Sequence, residues 1–266
     1  MISSSAIFAI VLRHARLFRK DLNLVLGAFY WPVLDIFIWG FLGTWISQSQ
    51  KADSAFAHYE IAALLGLLLW QIIGRGGNVF SNAFTEELWS NNIINLFSLP
   101  LKLSEWIFAI VLFYIFMISI TTAFCMFMIF VLYDISMLFM IKSFFLFLPP
   151  LLLCGIAIGF TGLQIIVSLG KRGIELGYVI IWFLMPFSGA VYPIEILPIW
   201  GQTISKFLPM TPVFSGMRAY VMHQQDPTSY LIKGYILSSM YTVFSILLFI
   251  YLFHRSKKRG LARLAD

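Results

Sequence analysis

The sequence predicts an all-α membrane protein with six transmembrane helices, an N-terminal amphipathic interface helix and short re-entrant helices between spans 5 and 6. Three observations lead to this fold class. Of 266 residues, 60% are hydrophobic and 11% are charged, and the mean hydropathy is +0.88, whereas a soluble chain is about half apolar and about a quarter charged. Long uncharged runs recur along the chain, and prolines cluster in one apolar stretch, 183–212. We therefore treat residues 1–266 as a single transmembrane domain.

The first predicted element is a helix over residues 4–20 that lies in the membrane interface. Arg13, Arg16 and Lys20 line one face of it, and an amphipathic helix with a basic edge is suited to the cytoplasmic lipid surface. Apolar residues recur at helical spacing on another face: Ile7, Ile10, Val11, Leu17 and Phe18. Two roles stay open for this helix, a simple lipid anchor and a docking surface for a partner protein.

Six segments are predicted to cross the membrane, because a bilayer core requires about 20 apolar residues in a helix. The predicted spans are 22–46, 59–78, 106–133, 143–170, 176–192 and 234–253. The fifth of these is short, since its 17 residues rise only about 25 Å as a helix. The glycines around Arg75 are expected to loosen the inner end of the second span.

The charge distribution predicts the orientation of these spans. An even number of spans places both termini on one side of the membrane, and both termini are basic. With the termini in the cytoplasm, 13 of the 18 Lys and Arg residues lie inside, Arg75 among them, and 5 lie outside. Positive charge concentrates on the cytoplasmic side of membrane proteins. We therefore expect a multi-pass protein of the cytoplasmic (inner) membrane with both termini in the cytoplasm.

The net charge of +6 does not indicate a nucleic-acid partner. Lys and Arg concentrate in residues 13–20 and 255–263, beside apolar segments, where attraction to anionic lipid in the bilayer explains them better. The two cysteines lie deep in apolar runs, and the four histidines are scattered along the chain. No metal site is expected, because no pair of these residues has the spacing of metal ligands.

The proline-rich stretch predicts re-entrant structure over residues 193–222. The helix-breaking prolines are Pro193, Pro198, Pro209 and Pro212. Proline fits the first turn of a helix and disrupts a helix when placed further in. Repeated starts and stops in an apolar sequence indicate short half-helices that dip into the outer leaflet and form the outer wall or lid of a cavity. An amphipathic loop that lies on the surface is the alternative.

Three segments, in order along the chain, match the patterns of one family of membrane proteins. LRHARLFRKDLNLVLGAFYWPVLDIFIWGFL (12–42) is similar to that family's interface helix and first span, and FTEELWSNNIINLFSLPLKLSEW (84–106) to a cytoplasmic segment in which acidic residues precede a Leu-x-x-x-Pro-Leu element. The signature near the last span is matched by Ser188-Gly189, Tyr192-Pro193, Leu197-Pro198, Leu208-Pro209 and Arg218. The chain thus resembles the membrane (permease) subunits of type-2 ABC exporters, the ABC-2-type transporter family.

The resemblance implies that energy is supplied by other subunits. Members of this family pair two six-span subunits, here expected to be a homodimer, and two copies of a cytoplasmic ABC ATPase drive the pair. No G-x-x-x-x-G-K-[ST] phosphate-binding loop occurs in this sequence. We therefore expect this chain to be no enzyme and to bind no cofactor itself, while ATP and Mg are bound by the partner ATPase.

The resemblance also points to residues that couple the permease to the ATPase. These candidates are Arg13 and Arg16 in the interface helix and Glu86 and Glu87 in segment 79–104. The two glutamates are expected to face either a partner or the basic N-terminal helix. The alternative is that they are solvated acids at a helix start, where the helix dipole favours negative charge.

Three residues of the first span are candidates for the transport pathway. Asp35 lies inside an apolar segment, where a charge costs roughly 2.5–3.5 kcal/mol on insertion scales. It is expected to border a wet pathway or to pair with a cation near the outer end of another span. The alternative is that it remains hydrated near the outer interface. Tyr30 and Trp31 could stack on a ring of the cargo, although aromatic residues at span ends more often anchor a helix in the interface.

The sequence favours an ATP-driven exporter that moves an amphiphilic or polymeric substrate, such as a lipid-linked glycan, a lipid or a drug-like molecule. An ion-coupled secondary transporter is the first alternative, and it predicts several buried acids and inverted repeats. A membrane-embedded lipid-linked transferase is the second, and it predicts acids clustered at one membrane face to hold Mg²⁺. The 12 acidic residues are dispersed, which favours neither alternative.

Overall fold

The computed structural model describes residues 3–49 and 59–260, and these residues form ten α-helices and no strand. The helices are α1 Ser4–Lys20, α2 Leu22–Ser49, α3 Tyr59–Trp89, α4 Ile93–Ser98, α5 Leu103–Tyr133, α6 Met137–Leu169, α7 Ile174–Ser188, α8 Ile199–Phe207, α9 Thr211–His223 and α10 Thr228–Lys258. Two short 3₁₀ turns, Gly170–Gly173 and Ile194–Ile196, join α6 to α7 and precede α8. The predicted all-helical class is confirmed for this part of the chain.

Five helical segments are long and apolar enough to cross a membrane. They are Leu22–Trp45, Tyr59–Trp89, Leu103–Tyr133, Met137–Ser188 and Thr228–Lys258. The segment Met137–Ser188 contains both α6 and α7, which the 3₁₀ turn joins. The predicted fifth span, 176–192, falls largely within this segment and is not counted separately. Helix α7 has 15 residues, a rise of about 22 Å.

Helix α3 is the central helix of the bundle. In its most apolar window, 89% of the residues are buried, compared with 22% for α2 and 28% for α10. It is a single helix to Trp89 and does not loosen at the glycines near Arg75. Gly76 instead packs directly on the backbone of Gly155 in α6, where a Cβ atom would overlap the carbonyl group. The glycines therefore permit close packing between helices.

Helix α7 runs antiparallel to α3 along much of its length. The hydroxyl of Tyr178 donates a hydrogen bond to Oδ1 of Asn82, and further along α7 the side chain of Ile181 packs where a Cβ of Gly77 would lie. Beyond the end of α7, the backbone of Ala190 lies against Gly66. The contacts on α3 thus extend over residues 66–82, a rise of about 24 Å in helical geometry.

The proline-rich region forms short helices whose starts coincide with prolines. Pro193 directly precedes the 3₁₀ turn Ile194–Ile196, and Pro198 directly precedes α8. Pro209 lies between α8 and α9, and Pro212 lies in the first turn of α9. Proline is tolerated at these places because the backbone N–H it lacks has no partner within the helix there.

Candidate functional site

A polar cavity of about 230 Å³ lies between α2, α3 and α7, alongside the middle of the central helix. Its polar lining residues are Asn23, Asp35, Gln71, Arg75, Asn78 and Asn82, and its aromatic ones are Trp31, Trp70 and Trp182. Polar groups at membrane depth are costly, so they normally face the interior of a bundle or a water-filled cavity. This arrangement makes the cavity the strongest candidate for a functional site within the membrane.

Arg75 is the cation of this cavity, and only 7% of its surface is exposed. Its Nη2 donates a hydrogen bond of 3.1 Å to the carbonyl oxygen of Gly27 in α2. Its Nε is buried without a hydrogen-bond partner. The charge distribution in the sequence placed Arg75 among the cytoplasmic cations, at the inner end of the second span. In the structure α3 continues to Trp89, so Arg75 lies in mid-helix and is buried against α2.

The other donors of the cavity follow one face of α3. Gln71, Arg75, Asn78 and Asn82 are separated by four, three and four residues, which places them above one another on a helix. Trp70 lies beside them, is 1% exposed and has an indole Nε1 without a hydrogen-bond partner. The sequence interpretation missed this polar stripe, although its spacing in an apolar span was a signal that could have revealed it.

Two of the three predicted pathway residues line this cavity. Asp35 is half-buried at its wall, and it forms no ion pair with Arg75 within 4 Å. Trp31 also lines the cavity, with 56% of its surface exposed. Tyr30 is 53% exposed and packs edge-on against Trp31, with 5.5 Å between ring centroids, but it is not part of the cavity lining.

A second polar cluster joins α1 to the end of α3. Nη2 of Arg13 lies 2.7 Å from Oε1 of Glu87, whose side chain is 1% exposed, whereas that of Arg13 is 36% exposed. Nδ2 of Asn92 donates a 2.8 Å hydrogen bond to Oε2 of the same carboxylate. Both oxygens of a buried acid are therefore engaged, one of them by the interface helix.

Glu105 of α5 binds the start of α1. The backbone N–H of Ser3 donates a 2.8 Å hydrogen bond to Oε1 of Glu105, and the N–H of Lys102 donates one of 3.0 Å to Oε2. Directly after Arg13 on α1, His14 packs near Phe113, with ring centroids 5.7 Å apart. Burial, and secondarily the charge of Arg13, lowers the pKa of His14 to about 4.

The opposite end of the bundle is held together by an arginine. The Arg218 guanidinium of α9 donates a hydrogen bond through Nη2 to the carbonyl oxygen of Gly189, which directly follows α7. Gly189 has a φ of +75°, a left-handed conformation that favours glycine. A cavity of about 600 Å³ opens at this end, with Glu60, Asp134 and Gln224 among its lining residues.

Comparison with protein families identifies the chain. The sequence model of the ABC-2 type transporter family matches residues 5–222. The chain belongs to the ABC-2 type transporter family. A search of the curated proteins found no match. The resemblance seen in the sequence is thus confirmed, and the chain is a multi-pass membrane transport subunit without a nucleotide-binding motif.

In this ABC-2 permease, the four residues predicted to couple to an ATPase differ in their contacts and exposure. Arg13 and Glu87 are brought together in the ion pair. Glu86 is partly exposed and lines a narrow cavity of about 40 Å³ with His14, while Arg16 is exposed. Domains of this family generally pair with ATPase subunits and form dimers, so exposed groups at this end of the permease are available to other subunits.

Proposed function

We propose that this ABC-2 permease is the membrane subunit of an ATP-driven exporter in the cytoplasmic membrane. Two copies of the chain form a homodimer, and two copies of a cytoplasmic ABC ATPase, which bind ATP and Mg, drive it. The cargo is an amphiphilic or polymeric molecule, such as a lipid-linked glycan, a lipid or a drug-like compound. The family match over residues 5–222 supports the transport role.

In this proposal α7 is the sixth crossing, and both termini are cytoplasmic. Its support is the antiparallel contact that α7 and the residues directly after it make with α3. This contact extends from Tyr178 to Ala190 and covers about 24 Å along α3. The last turn of α10 carries Arg255, Lys257 and Lys258, at the same end as α1. Basic residues gathered at one end agree with a cytoplasmic position of that end.

The attachment of α1 is the single observation that best supports coupling to an ATPase. Arg13 ties the interface helix to the end of α3, and Ser3 ties it to the start of α5. A force applied to α1 therefore reaches two spans through charge-assisted contacts with the buried acids Glu87 and Glu105, and such contacts are stronger than neutral ones. The second role left open for the interface helix, a docking surface for a partner, fits this arrangement best.

The short helices after α7 form the outer lid in this proposal. Arg218 fastens α9 to the end of α7, so a movement of α7 carries the proline-bounded helices with it. The polar cavity beside α2 supplies part of the pathway, with Asp35 and Trp31 in its wall. Non-helical backbone at membrane depth is tolerated where it is buried in protein or lines water.

Site-directed labelling tests the orientation on which this function depends. Lys258→Cys at the end of α10 and Thr203→Cys in α8 are both exposed positions. The natural cysteines, Cys125 and Cys154, are 1% and 0% exposed and give little background. In intact cells a membrane-impermeant maleimide should label Thr203→Cys, and it should label Lys258→Cys only after permeabilisation. Labelling of Lys258→Cys from outside would refute the proposed orientation.

Transport assays test the energy source. The permease is reconstituted in vesicles with and without the ATPase subunit that co-purifies with it from native membranes. Export should require both the ATPase and hydrolysable Mg-ATP. Cargo movement by the chain alone, driven by an ion gradient, would instead establish the secondary transporter.

A further inference from the structure

We infer that the cavity around Arg75 binds the phosphate-type anionic headgroup of an amphiphile. This inference rests on the proposed function, because it names the chemical class of the molecule that the permease accepts. The headgroup lies against Arg75 between α2, α3 and α7, and the apolar chain lies in the bilayer.

The positive charge of Arg75 has no counter-ion within 4 Å among the described residues. The guanidinium stays protonated in proteins and has five N–H donors, yet the hydrogen bond that it forms within the described residues is the single Nη2 bond to the neutral carbonyl of Gly27. Nε has no hydrogen-bond partner and is fully buried. A buried cation without a counter-ion is costly, and an anion in the cavity would remove that cost.

The neighbouring groups on α3 are suited to an oxyanion. The indole N–H of Trp70 is buried, unpaired and donor-only, and its ring lines the same cavity as Arg75. Asn78 and Asn82 supply amide groups on the same helix face. Planar guanidinium donors match phosphate geometry better than a lysine ammonium does. The guanidinium of Arg75 and the amides of Asn78 and Asn82 therefore line the cavity as donors for an oxygen anion.

The shape of the cavity indicates a headgroup and not a whole ligand. Its volume of about 230 Å³ is below the 300–1,000 Å³ that drug-sized ligands occupy. Trp31 and Trp182 lie at its wall with 56% and 47% of their surfaces exposed, so the cavity opens between α2 and α7. An apolar chain attached to the bound headgroup can leave through this opening into the lipid.

A second, narrow cavity of about 40 Å³ lies toward the end of the bundle that carries α1. It shares Arg75, Asn78 and Asn82 with the first cavity and extends to His14 and Glu86. Asp35 also lines the first cavity, but its carboxylate forms no ion pair with Arg75 within 4 Å.

Binding of dodecyl phosphate to the purified full-length chain in neutral detergent tests this inference. Dodecyl phosphate should bind saturably, and Arg75→Gln should weaken it about 10- to 100-fold, the effect of losing a charge-assisted hydrogen bond. Arg172→Gln is the matched control, because Arg172 is an exposed loop cation and its loss should leave the affinity unchanged. Equal binding by the wild type and Arg75→Gln would overturn the inference.

Further measurements distinguish a lipid headgroup from free phosphate and allow for a variant that does not fold. Dodecyl trimethylammonium should not compete, whereas competition by it would show that apolar contact alone drives binding. Competition by millimolar inorganic phosphate would assign the site to free phosphate and overturn the lipid source. If Arg75→Gln does not fold, Asn78→Leu removes an amide that lines the cavity at nearly constant volume and should still weaken binding several-fold. No ATPase is present in these measurements, so their failure is distinct from a failure of the proposed ATP dependence.

Discussion

Replacing Arg13 with alanine should destabilise the permease more than replacing its partner Glu87 with glutamine. The side chain of Glu87 is 1% exposed and that of Arg13 is 36% exposed, so the two substitutions leave different groups behind. Arg13→Ala leaves a carboxylate that is buried without its cation, which costs about 3–5 kcal/mol. Glu87→Gln leaves a guanidinium that water can reach, so we expect a loss nearer about 1.5–3 kcal/mol.

Thermal unfolding of the purified chain in neutral detergent measures this asymmetry. Glu86→Gln is the matched control, because Glu86 is the adjacent acid, is partly exposed and has no ion pair within the described residues. The double variant Arg13→Ala/Glu87→Gln should be more stable than the sum of the two single losses predicts, by about 0.5–3 kcal/mol. Additive losses, or a control as unstable as Glu87→Gln, would refute the reasoning.

The same variants test whether this ion pair transmits force from the ATPase. In vesicles that contain both subunits, Glu87→Gln should lower cargo-stimulated ATP hydrolysis several-fold, because α1 then loses its charged attachment to α3. Insertion into the membrane should be unchanged. Undiminished stimulation by Glu87→Gln would remove the pair from the coupling role, even if its effect on stability is as expected.

Two further predictions concern α1 and the central helix. Because burial lowers the pKa of His14 from 6.5 to about 4, the unfolded chain binds a proton more readily, and stability should fall by up to about 3 kcal/mol as the pH drops from 6.5 towards 4. His14→Gln should lose this part of the pH dependence of the unfolding midpoint, and an unaltered dependence would contradict the assignment. Gly76→Ala should destabilise by about 1–3 kcal/mol, because the new Cβ would overlap the backbone of Gly155. Gly27→Ala meets nothing within 4 Å, so it should leave the melting temperature unchanged or slightly higher.

The interface helix and the apolar spans could be predicted from the sequence because they depend on local patterns. Helix α1 covers Ser4–Lys20, the range that its amphipathic spacing predicts, since a lipid interface selects one apolar and one basic face. The ends of the helices were harder to predict. Helix α3 continues past residue 78 to Trp89, because its glycines are stabilised by packing on α6, a contact that no local pattern records.

The candidate site was only partly accessible for a related reason. Asp35 and Trp31 were selected as individual residues in an apolar span, and the structure places both at the wall of the polar cavity. Arg75 was counted among the cytoplasmic cations, at the inner end of the second span, where the neighbouring glycines were expected to loosen the helix. Only the continuation of α3 and the proximity of Gly27 show that this cation lies inside the bundle.

By itself, the sequence determined that this protein resides in a membrane, that it is helical and that its ends are basic, because bilayer insertion depends on the apolar length and charge of each segment. The tertiary structure alone decided which polar groups meet. The pairing of Arg13 with Glu87 and the burial of unpaired donors around Arg75 depend on how separate helices pack. Close approach at glycines such as Gly76 sets these distances, and such approach is a property of the assembled bundle.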